Sequence, residues 1–277
     1  MTSTPQEKRA AGKAKLEQAF EAAQPALQLG GVAATDPRFA RTAADAGVRI
    51  LEPNHTAISC ARAQRGLTSM REAYTYKHEL DFNVVLEVVS TLRHVVPEHV
   101  FLLSAAPGTF DEAEPTFEEK QAHLLSKAGA DGLFVEKNSY DEVHRLTRIA
   151  HDAGLLIQAG FQLRSPGAKT AVIPIETPGD ASKAARRLMN MGVDIVGMRF
   201  SGIFKSLEAG AIAPEELDCL SSMVSEVPGA TVVYAGVNVS NLPAVAETGV
   251  KMVGVASAVD DLVYKALFEA IDQFSIY

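Results

Sequence analysis

The feature of this 277-residue sequence that most constrains its fold is a glycine that recurs after helical segments. In each case an amphipathic stretch ends in a small or apolar residue and then glycine, and a short apolar run follows. Glycine is typical of a helix C-cap, where the backbone turns left-handed. The pattern occurs at Gly47, Gly129, Gly154, Gly192 and Gly249. It predicts helices that alternate with short buried strands, which indicates an α/β protein with a parallel sheet.

Strand and helix patterns alternate along the whole chain. Apolar runs predict strands at 26–33, 48–53, 99–105, 131–136, 155–159 and 193–199, and two more that begin at 231 and 250. Eight strands that are each followed by a helix are the count of a (β/α)8 barrel. We therefore expect an α/β fold with a single (β/α)8 TIM barrel domain over 1–277. The alternative is an open doubly wound sheet, but no glycine-rich dinucleotide fingerprint follows the first strand.

An N-terminal helical extension of the barrel is predicted at 1–25. Residues 6–23 form a charged amphipathic pattern that places Leu16, Phe20 and Ala23 on one face. Such a helix can cap the floor of the barrel or dock on another subunit. We favour the cap.

Composition and charge exclude several classes of partner. The net charge is −8 and there is no run of lysine or arginine, which argues against nucleic acid and against an anionic membrane surface. No stretch has the length of a transmembrane helix, and the N-terminus lacks the apolar core of a signal peptide. Cys60 and Cys219 lack metal-site spacing, which favours reduced thiols. We expect a cytoplasmic protein that forms a homo-oligomer. We expect it to bind a small anionic metabolite.

The stretch 231–261 predicts a strand, a short helix and a second strand that leads into the last helix. Both strands end in small residues, at Ala235-Gly236 and at 256–258, which allow a ligand to approach the backbone. The N–H groups and dipole of the last helix favour an anion. The alternative is a plain closing βαβ unit. The residues whose backbone N–H groups we expect to bind the anion are Gly236, Val237, Asn238, Ala256 and Ser257.

These two turns resemble those of the phosphate-binding (β/α)8 barrels, a superfamily that includes indole-glycerol-phosphate synthase, tryptophan synthase α subunit and N-acetylmannosamine-6-phosphate epimerase. In that superfamily two adjacent glycines follow strand 7, and a Gly-Ser-Ala turn follows strand 8. Here the turns read Ala235-Gly236 and Ala256-Ser257-Ala258, so each has one glycine replaced by alanine. The resemblance implies that a phosphate group binds at this end of the barrel.

Glu52 is the acidic residue that best fits a catalytic role, since active sites of such barrels lie at the C-terminal ends of the strands. Alternation places Glu52 on the same face as Val48 and Ile50. If that face is the lumen, desolvation would raise the pKa of Glu52 and make it a usable general base. A glutamate that ends strand 2 also resembles the catalytic glutamate of tryptophan synthase α subunit. The alternative is a carboxylate that orients a loop. Further strand-end residues expected to bind substrate are Gln28, Asn54, His55, Ser104 and Gln158.

Two cations at strand ends are further candidates for catalysis. Lys137 shares the parity of Val135, whereas Glu136 points to the opposite face. A buried lysine can form a Schiff base, donate a proton or pair with a carboxylate. The alternative is a surface lysine paired with an acidic residue of the next helix. Arg199 ends strand 6, where its guanidinium suits bidentate binding of a carboxylate or phosphate.

Two long segments without a regular pattern are candidate lids. The segment 54–81 follows strand 2 and is locally basic, and we expect its Arg65 to bind the substrate anion. Part of it, 56–65, is alternatively a short helix with solvated arginines. The segment 160–179 follows strand 5, and its lid candidate is 161–169.

A second resemblance is to the phosphoenolpyruvate mutase and isocitrate lyase barrels. It is carried by residues 129–138 and by Asp141-Glu142-Val143, and the Arg65-Gly66 loop is similar to one in phosphoenolpyruvate hydrolase-like proteins. This family implies Mg²⁺-dependent cleavage of C–C or P–C bonds, with acidic metal ligands after strand 3. Here that strand is followed by a segment with no carboxylate before Asp111.

We expect a metal-independent lyase or isomerase of aldolase or epimerase type, without a cofactor, that acts on a small phosphorylated or carboxylated metabolite. Glu52 would move a proton, Lys137 would act as electrophile or acid, and Arg199 would hold the anion. One alternative is a Mg²⁺-dependent C–C or P–C lyase, as the second resemblance implies. Another is a metabolite-sensing barrel without catalytic activity.

Overall fold

The computed structural model describes residues 3–53, 81–110, 116–164, 171–200, 212–227 and 229–274. The strands are β1 Ala26–Leu29, β2 Ile50–Leu51, β3 Phe101–Ser104, β4 Gly132–Val135, β5 Leu156–Leu163, β6 Ile173–Ile175, β7 Ile195–Arg199, β8 Thr231–Tyr234 and β9 Met252–Val255. The helices are α1 Pro5–Ala22, α2 Val32–Thr35, α3 Pro37–Asp45, α4 Phe82–Val95, α5 Glu119–Ala128, α6 Tyr140–Asp152, α7 Pro178–Asn190, α8 Pro214–Glu226, α9 Leu242–Glu247 and α10 Ser257–Phe274.

The sheet is a closed parallel barrel surrounded by helices, which confirms the predicted (β/α)8 fold. Its strands follow the order β4-β3-β2-β1-β9-β8-β7-β5, and a further pairing of β4 with β5 closes the ring. Local signals set several helix ends as expected. Asp36 caps α3 through a bond from the Arg38 N–H, and Pro37 follows the cap. Gly129 ends α5 with φ of 106°.

The segment 160–179 was wrongly predicted to be one long loop. β5 continues to Leu163, and β6 pairs with Phe161–Leu163 outside the ring of eight strands. Pro174 lies in β6, and proline is tolerated there because β6 is an edge strand. Residues 165–170, which include part of the lid candidate, lie outside the described residues.

Residues 30–33 were also wrongly predicted to continue the first strand. The chain turns at Gly31, whose φ is 74°, and enters the short helix α2. The carboxylate of Asp260 accepts hydrogen bonds from the N–H groups of Val32 and Ala33 at 3.2 and 3.3 Å. This partner lies more than two hundred residues away in sequence, so a local pattern does not reveal it.

The barrel lumen is filled by the side chains of alternate strand residues. Its apolar members are Ala26, Ile50, Phe101, Leu103, Phe134, Leu156, Ile195, Val232, Tyr234 and Met252. The residues between them, such as Val135, Ile157 and Val196, pack outward against the helices. Because both faces of a barrel strand are buried, the sequence shows which residues share a face but does not show which face points into the lumen.

The strand registers arrange the lumen in layers to which alternate strands contribute. The lower layers are apolar and hold Ile50, Ile195, Met252, Ala26, Phe101 and Leu156. Above them is a layer that we call the glutamine layer, formed by Gln28, Leu103, Gln158 and Val232. Within it Gln28 and Gln158 come from opposite walls. The next layer contains Glu52, Phe134, Gly197 and Gly254, and polarity therefore rises toward the C-terminal mouth.

Helix α1 closes the floor of the barrel, as predicted. Leu16 and Ala19 join the lumen cluster from below and are almost fully buried. Lys15 bonds to Asp131 at 2.7 Å, and Arg9 bonds to Asp194 at 3.2 Å. The helix is therefore held to the strand bottoms by apolar packing and by two partly buried ion pairs.

Acid is expected to weaken this attachment through Asp194. Burial raises the pKa of Asp194, but the hydrogen bond and charge of His151 and the charge of Arg9 outweigh it, so the pKa lies below the ordinary value of 3.8. A depressed pKa stabilises the fold above the ordinary value, and this contribution is lost as pH falls through the folded-state pKa. Asp194→Asn should therefore lower the free energy of unfolding at pH 6, and the difference from the wild type should close below pH 3.8. Urea titrations across this range measure it; a difference independent of pH would contradict it.

The thiol of Cys219 is buried in α8. Burial raises its pKa to about 11, so the thiol stays protonated and unreactive at neutral pH. Cys60 lies outside the described residues.

Helix α10 leaves the barrel after its first turn. Asp260 is 1% exposed, whereas Phe268 is 72% and Phe274 is 83% exposed. Other large apolar side chains exposed on this helix are Leu262, Tyr264, Leu267 and Ile271. Within the described ranges, no helix combines the length and apolar character needed to cross a membrane.

Candidate active site

Arg199 and Glu136 form an ion pair at the mouth of the barrel. The Nε atom of Arg199 lies 3.3 Å from Oε1 of Glu136, and both side chains are about 95% buried. The Nη1 atom of Arg199 donates to Oε1 of Gln162 at 3.2 Å. These contacts hold the guanidinium inside the lumen, where a low dielectric strengthens its attraction for the Glu136 carboxylate.

Glu52 lies lower, on the opposite wall. Its backbone N–H donates to the Leu29 carbonyl at 2.7 Å, which extends the pairing of β2 with β1. The side-chain amide of Gln28 donates from Nε2 to Oε2 of Glu52 in a short hydrogen bond. Glu52 is 5% exposed and Gln28 is fully buried. The side chain of Glu52 therefore faces the lumen, which is the orientation that its predicted role as a general base requires.

Small residues leave room between Glu52 and Arg199. The layer between them receives Gly30, Ala105 and Gly160 from three of its four strands. Phe110, which follows β3, belongs to the same lumen cluster. Three of the four positions between the two polar groups are therefore small.

Tyr234 fills the fourth position of that layer. Its ring packs edge-on against Phe134, with 5.4 Å between the ring centroids. A Cβ at Gly197 would lie 2.9 Å from the Tyr234 ring, and one at Gly254 would lie 2.7 Å from the Tyr234 Cβ. The two glycines thus make room for Tyr234, and the aromatic pair lies above the glutamine layer.

Lys137 and Ser104 do not share this lumen. Lys137 shares the parity of Val135, whose side chain packs outward. The hydrogen bond from Arg145 lowers the pKa of Glu142 in α6, and the positive charge of Lys137 lowers that pKa further. Ser104 alternates with the inward Leu103, and its hydroxyl donates to the Ala105 carbonyl at 3.0 Å. A role for either side chain in binding or catalysis stays a prediction.

Tyr234 is a lumen residue that sequence reasoning did not select, and Glu136 and Gln162 are lumen residues at strand ends to which it gave no role. The alternation had separated Glu136 from Lys137 correctly, but it gave no reason to prefer Glu136. Gly132 was a sequence signal for the face of β4 that points into the lumen. Lumen positions of a small barrel are narrow, and a Cβ at Gly132 would lie 2.9 Å from the side chains of Phe101 and Leu103. Glu136 shares the parity of Gly132.

The turn after β8 has the backbone shape expected for a glycine pair. Ala235 has φ of 67° and Gly236 has φ of 101°. An alanine in this conformation is strained, so the position favours glycine. The turn is held by Asn241, whose Nδ2 donates to the Gly236 carbonyl and whose Oδ1 accepts from the Asn238 N–H, both at 2.9 Å. Asn238 was therefore wrongly counted among the open donors, because its N–H already has an acceptor.

The turn after β9 leads directly into α10, which begins at Ser257. The first N–H groups of a helix lack intrahelical acceptors, so Ala256 and Ser257 remain candidates for anion binding, as do Gly236 and Val237. Asp260 lies in the same first turn and is buried. Its negative charge already benefits from the helix dipole, which the sequence analysis had not foreseen.

The predicted substrate residues Asn54, His55 and Arg65 lie outside the described residues.

The described residues do not form a ready site for Mg²⁺. Within those ranges, no three His, Cys, Asp or Glu side chains converge on a point that could hold a metal ion. Glu52 and Glu136 lie at different heights, one bonded to Gln28 and the other paired with Arg199. A preformed cage for a metal ion is therefore absent among these residues, and we derive no step through a metal.

Comparisons with known proteins place the chain by its fold. No protein family and no curated protein sequence matches it. Among solved structures, phosphoenolpyruvate phosphomutase from Streptomyces platensis subsp. rosaceus has a TM-score of 0.65 at 17% identity, over 95% of this chain and 86% of that chain. The chain shares the barrel fold of that enzyme.

Two further structures show the range of this likeness. Oxaloacetate acetylhydrolase in complex with oxalate has a TM-score of 0.62 at 14% identity, over 96% of this chain and 87% of its own. The tryptophan synthase α subunit of Pyrococcus furiosus has a TM-score of 0.59 at 12% identity, over 87% of this chain and 91% of its own. Barrels of both types that the sequence resembles are therefore among the similar structures, and a phosphate-binding subtype stays a prediction.

Proposed function

We propose that this protein is an enzyme of lyase or isomerase type that acts on a small carboxylated or phosphorylated metabolite in the barrel mouth. The observation that carries the proposal is the placement of Glu52 and Arg199 on opposite walls of the lumen, both almost fully buried. Between them lies a layer of mostly small residues that suits a short ligand.

In this proposal the Arg199 guanidinium binds an anionic group of the substrate and Glu52 moves a proton. For a hydroxy acid with its hydroxyl two carbons from a carbonyl, Glu52 accepts the hydroxyl proton as the C–C bond breaks. The electron pair of that bond forms an enolate, whose charge Arg199 stabilises. Protonated Glu52 then returns the proton to the enolate carbon, so the carboxylate is restored. For an isomerase, Glu52 would remove and return a proton on carbon.

A second candidate is a Mg²⁺-dependent C–C or P–C lyase. The names of the similar structures, a phosphoenolpyruvate phosphomutase and an oxaloacetate acetylhydrolase, favour this class over a metal-independent enzyme. They also favour an oxo acid or an enol phosphate as substrate. The described lumen carboxylates Glu52 and Glu136 lie at different heights and are, respectively, bonded to Gln28 and paired with Arg199, so we derive no step of this candidate through the metal.

Turnover assays on oxo acids, hydroxy acids and phosphorylated carboxylates, each with Mg²⁺ and with EDTA, test both candidates. Activity that survives EDTA supports metal-independent chemistry, whereas activity that needs Mg²⁺ supports the second candidate. Ligands that raise Tm in a thermal-shift screen without any turnover would contradict both and favour a sensing barrel.

The phosphate turns give a separate prediction. Gly236→Val should weaken phosphate-bearing ligands at least about tenfold, because about 1.4 kcal/mol suffices and valine is strained at a φ of 101°. Ser257→Ala should weaken them less, since its backbone donor survives. Calorimetric titration of inorganic phosphate and a phosphosugar measures both. Unchanged affinity in Gly236→Val, with an intact circular dichroism spectrum, would mean that these turns only close the barrel.

We also propose that α10 is covered by a second copy of this chain. Tyr264, Leu267, Phe268 and Ile271 follow the spacing of one helix face and are all exposed. A two-fold contact requires a surface that can bind itself, which an apolar helix face satisfies. Light scattering after size exclusion should therefore give a mass of at least twice 29.5 kDa for the wild type and a lower mass for Phe268→Asp. Asp272→Ala on the same helix is the control, and a monomeric wild type would contradict the proposal.

A further inference from the structure

The glutamine layer contains polar atoms that the surrounding protein does not satisfy. Gln28 and Gln158 are both 0% exposed. Oε1 of Gln28 and both Oε1 and Nε2 of Gln158 have no hydrogen-bond partner. A buried amide atom without a partner costs about 1–3 kcal/mol, so three of them in one layer of a barrel require an explanation.

The two amides face the same enclosed space. Gln158 shares the inward parity of Leu156, and Gln28 reaches inward to Glu52. Below this space lie the apolar floor of the barrel and Leu16 of α1. Above it lies the Phe134–Tyr234 pair, whose ring centroids are 5.4 Å apart. Val232 lies between the two glutamines on one side of this layer.

We propose that the glutamine layer holds an ordered water that bridges Gln28 and Gln158 and thereby positions Glu52. Such a water accepts from Nε2 of Gln158 and donates to Oε1 of Gln28 and of Gln158. Buried waters commonly make about three hydrogen bonds to groups that would otherwise be unsatisfied, and these three amide atoms match that requirement.

The bridge determines the orientation of the Gln28 amide. Nε2 of Gln28 donates to the Glu52 carboxylate only while its Oε1 points into the layer. If the amide turned over, its oxygen would face the carboxylate and repel it. A donor at Oε1 therefore selects the orientation that supports Glu52. Gln158 is thus a positioning residue that acts through the water and Gln28, and its relevance to catalysis rests on the proposed function of Glu52.

The first test is a crystal structure of the wild type at a resolution that shows ordered water. We expect a density peak within hydrogen-bond distance of Gln28 and Gln158 amide atoms. A layer without such a peak would overturn the proposal. This measurement requires neither a variant nor turnover, so a failure of the proposed enzymatic function leaves it unaffected.

The second test uses Gln158→Leu, which removes two amide atoms at similar volume. A bridged layer loses hydrogen bonds, so Tm should fall by at least about 2 °C. Without a bridging water, Gln158→Leu would remove two unsatisfied amide atoms, and Tm should rise. A rise in Tm would therefore overturn the proposal. Leu103→Met, in the same layer, is the apolar control.

The positioning role is read from the Glu52 carboxyl itself. Carbon-13 NMR of the glutamate carboxyl groups, assigned with Glu52→Gln, follows the titration of Glu52 without any substrate. In Gln158→Leu the Gln28 amide supports the carboxylate less well, so the titration midpoint of Glu52 should move to higher pH. An unchanged midpoint together with a density peak would mean that the water only fills the layer, and the positioning role would be wrong.

Discussion

Glu52→Gln is expected to lower kcat by about 10²–10⁴-fold, the contribution of a positioned general acid or base. Glutamine keeps the shape of the side chain and can still bond to the Gln28 amide, but it cannot accept a proton at neutral pH. Ligand affinity and the circular dichroism spectrum should stay close to those of the wild type. Steady-state kinetics on the substrate found in the screen, with calorimetric ligand binding, measures the difference.

Glu87→Gln is the matched control, because Glu87 is an exposed residue of α4. It should leave both kcat and stability unchanged. If Glu52→Gln instead unfolds and its activity per folded molecule equals that of the wild type, Glu52 is a structural residue and the proposed chemistry is wrong.

Arg199→Met is expected to lower the free energy of unfolding by about 3–5 kcal/mol, because it leaves the Glu136 carboxylate buried without its cation. Adding Glu136→Gln in the same chain should recover most of this loss, since the remaining pair is uncharged. Affinity for the substrate anion should stay reduced about 10–150-fold in the double variant, as removal of a charged hydrogen bond predicts.

The combination separates stability from binding. Arg41→Met is the control, because Arg41 forms an exposed pair with Asp45 whose side chains are both 57% exposed. Such a surface pair contributes about 0–1 kcal/mol. A double variant that regains both stability and anion affinity would show that Arg199 serves only to neutralise Glu136.

Much of the fold could be predicted because its signals are local. The glycine C-caps and the Asp36-Pro37 helix start lie next to the elements they define, so eight strands and most of the helices were predicted in the right order. The turn at Gly31 depends on a contact with Asp260, which is distant in sequence, and the edge strand β6 depends on its pairing with β5. Patterns within a short window do not contain such information.

The site was predicted less completely for a related reason. Alternation grouped Glu52 with Ile50, and a glutamate at a strand end stood out, so Glu52 was found. For β4 the same alternation left Glu136 and Lys137 equally plausible, because the lumen and the helix layer are both apolar. Which side of a buried strand faces inward is set by the closure of the barrel, and in the sequence of β4 it was marked only by Gly132.

The most direct test of the account is a crystal structure of the protein soaked with a short dicarboxylate or oxo acid, such as oxalate or pyruvate. The account predicts an anion in the mouth with its oxygens on the Arg199 guanidinium and its nearest carbon facing the Glu52 carboxylate. Density only at Gly236 and Ser257, or only on the outer surface, with none beside Arg199, would contradict it.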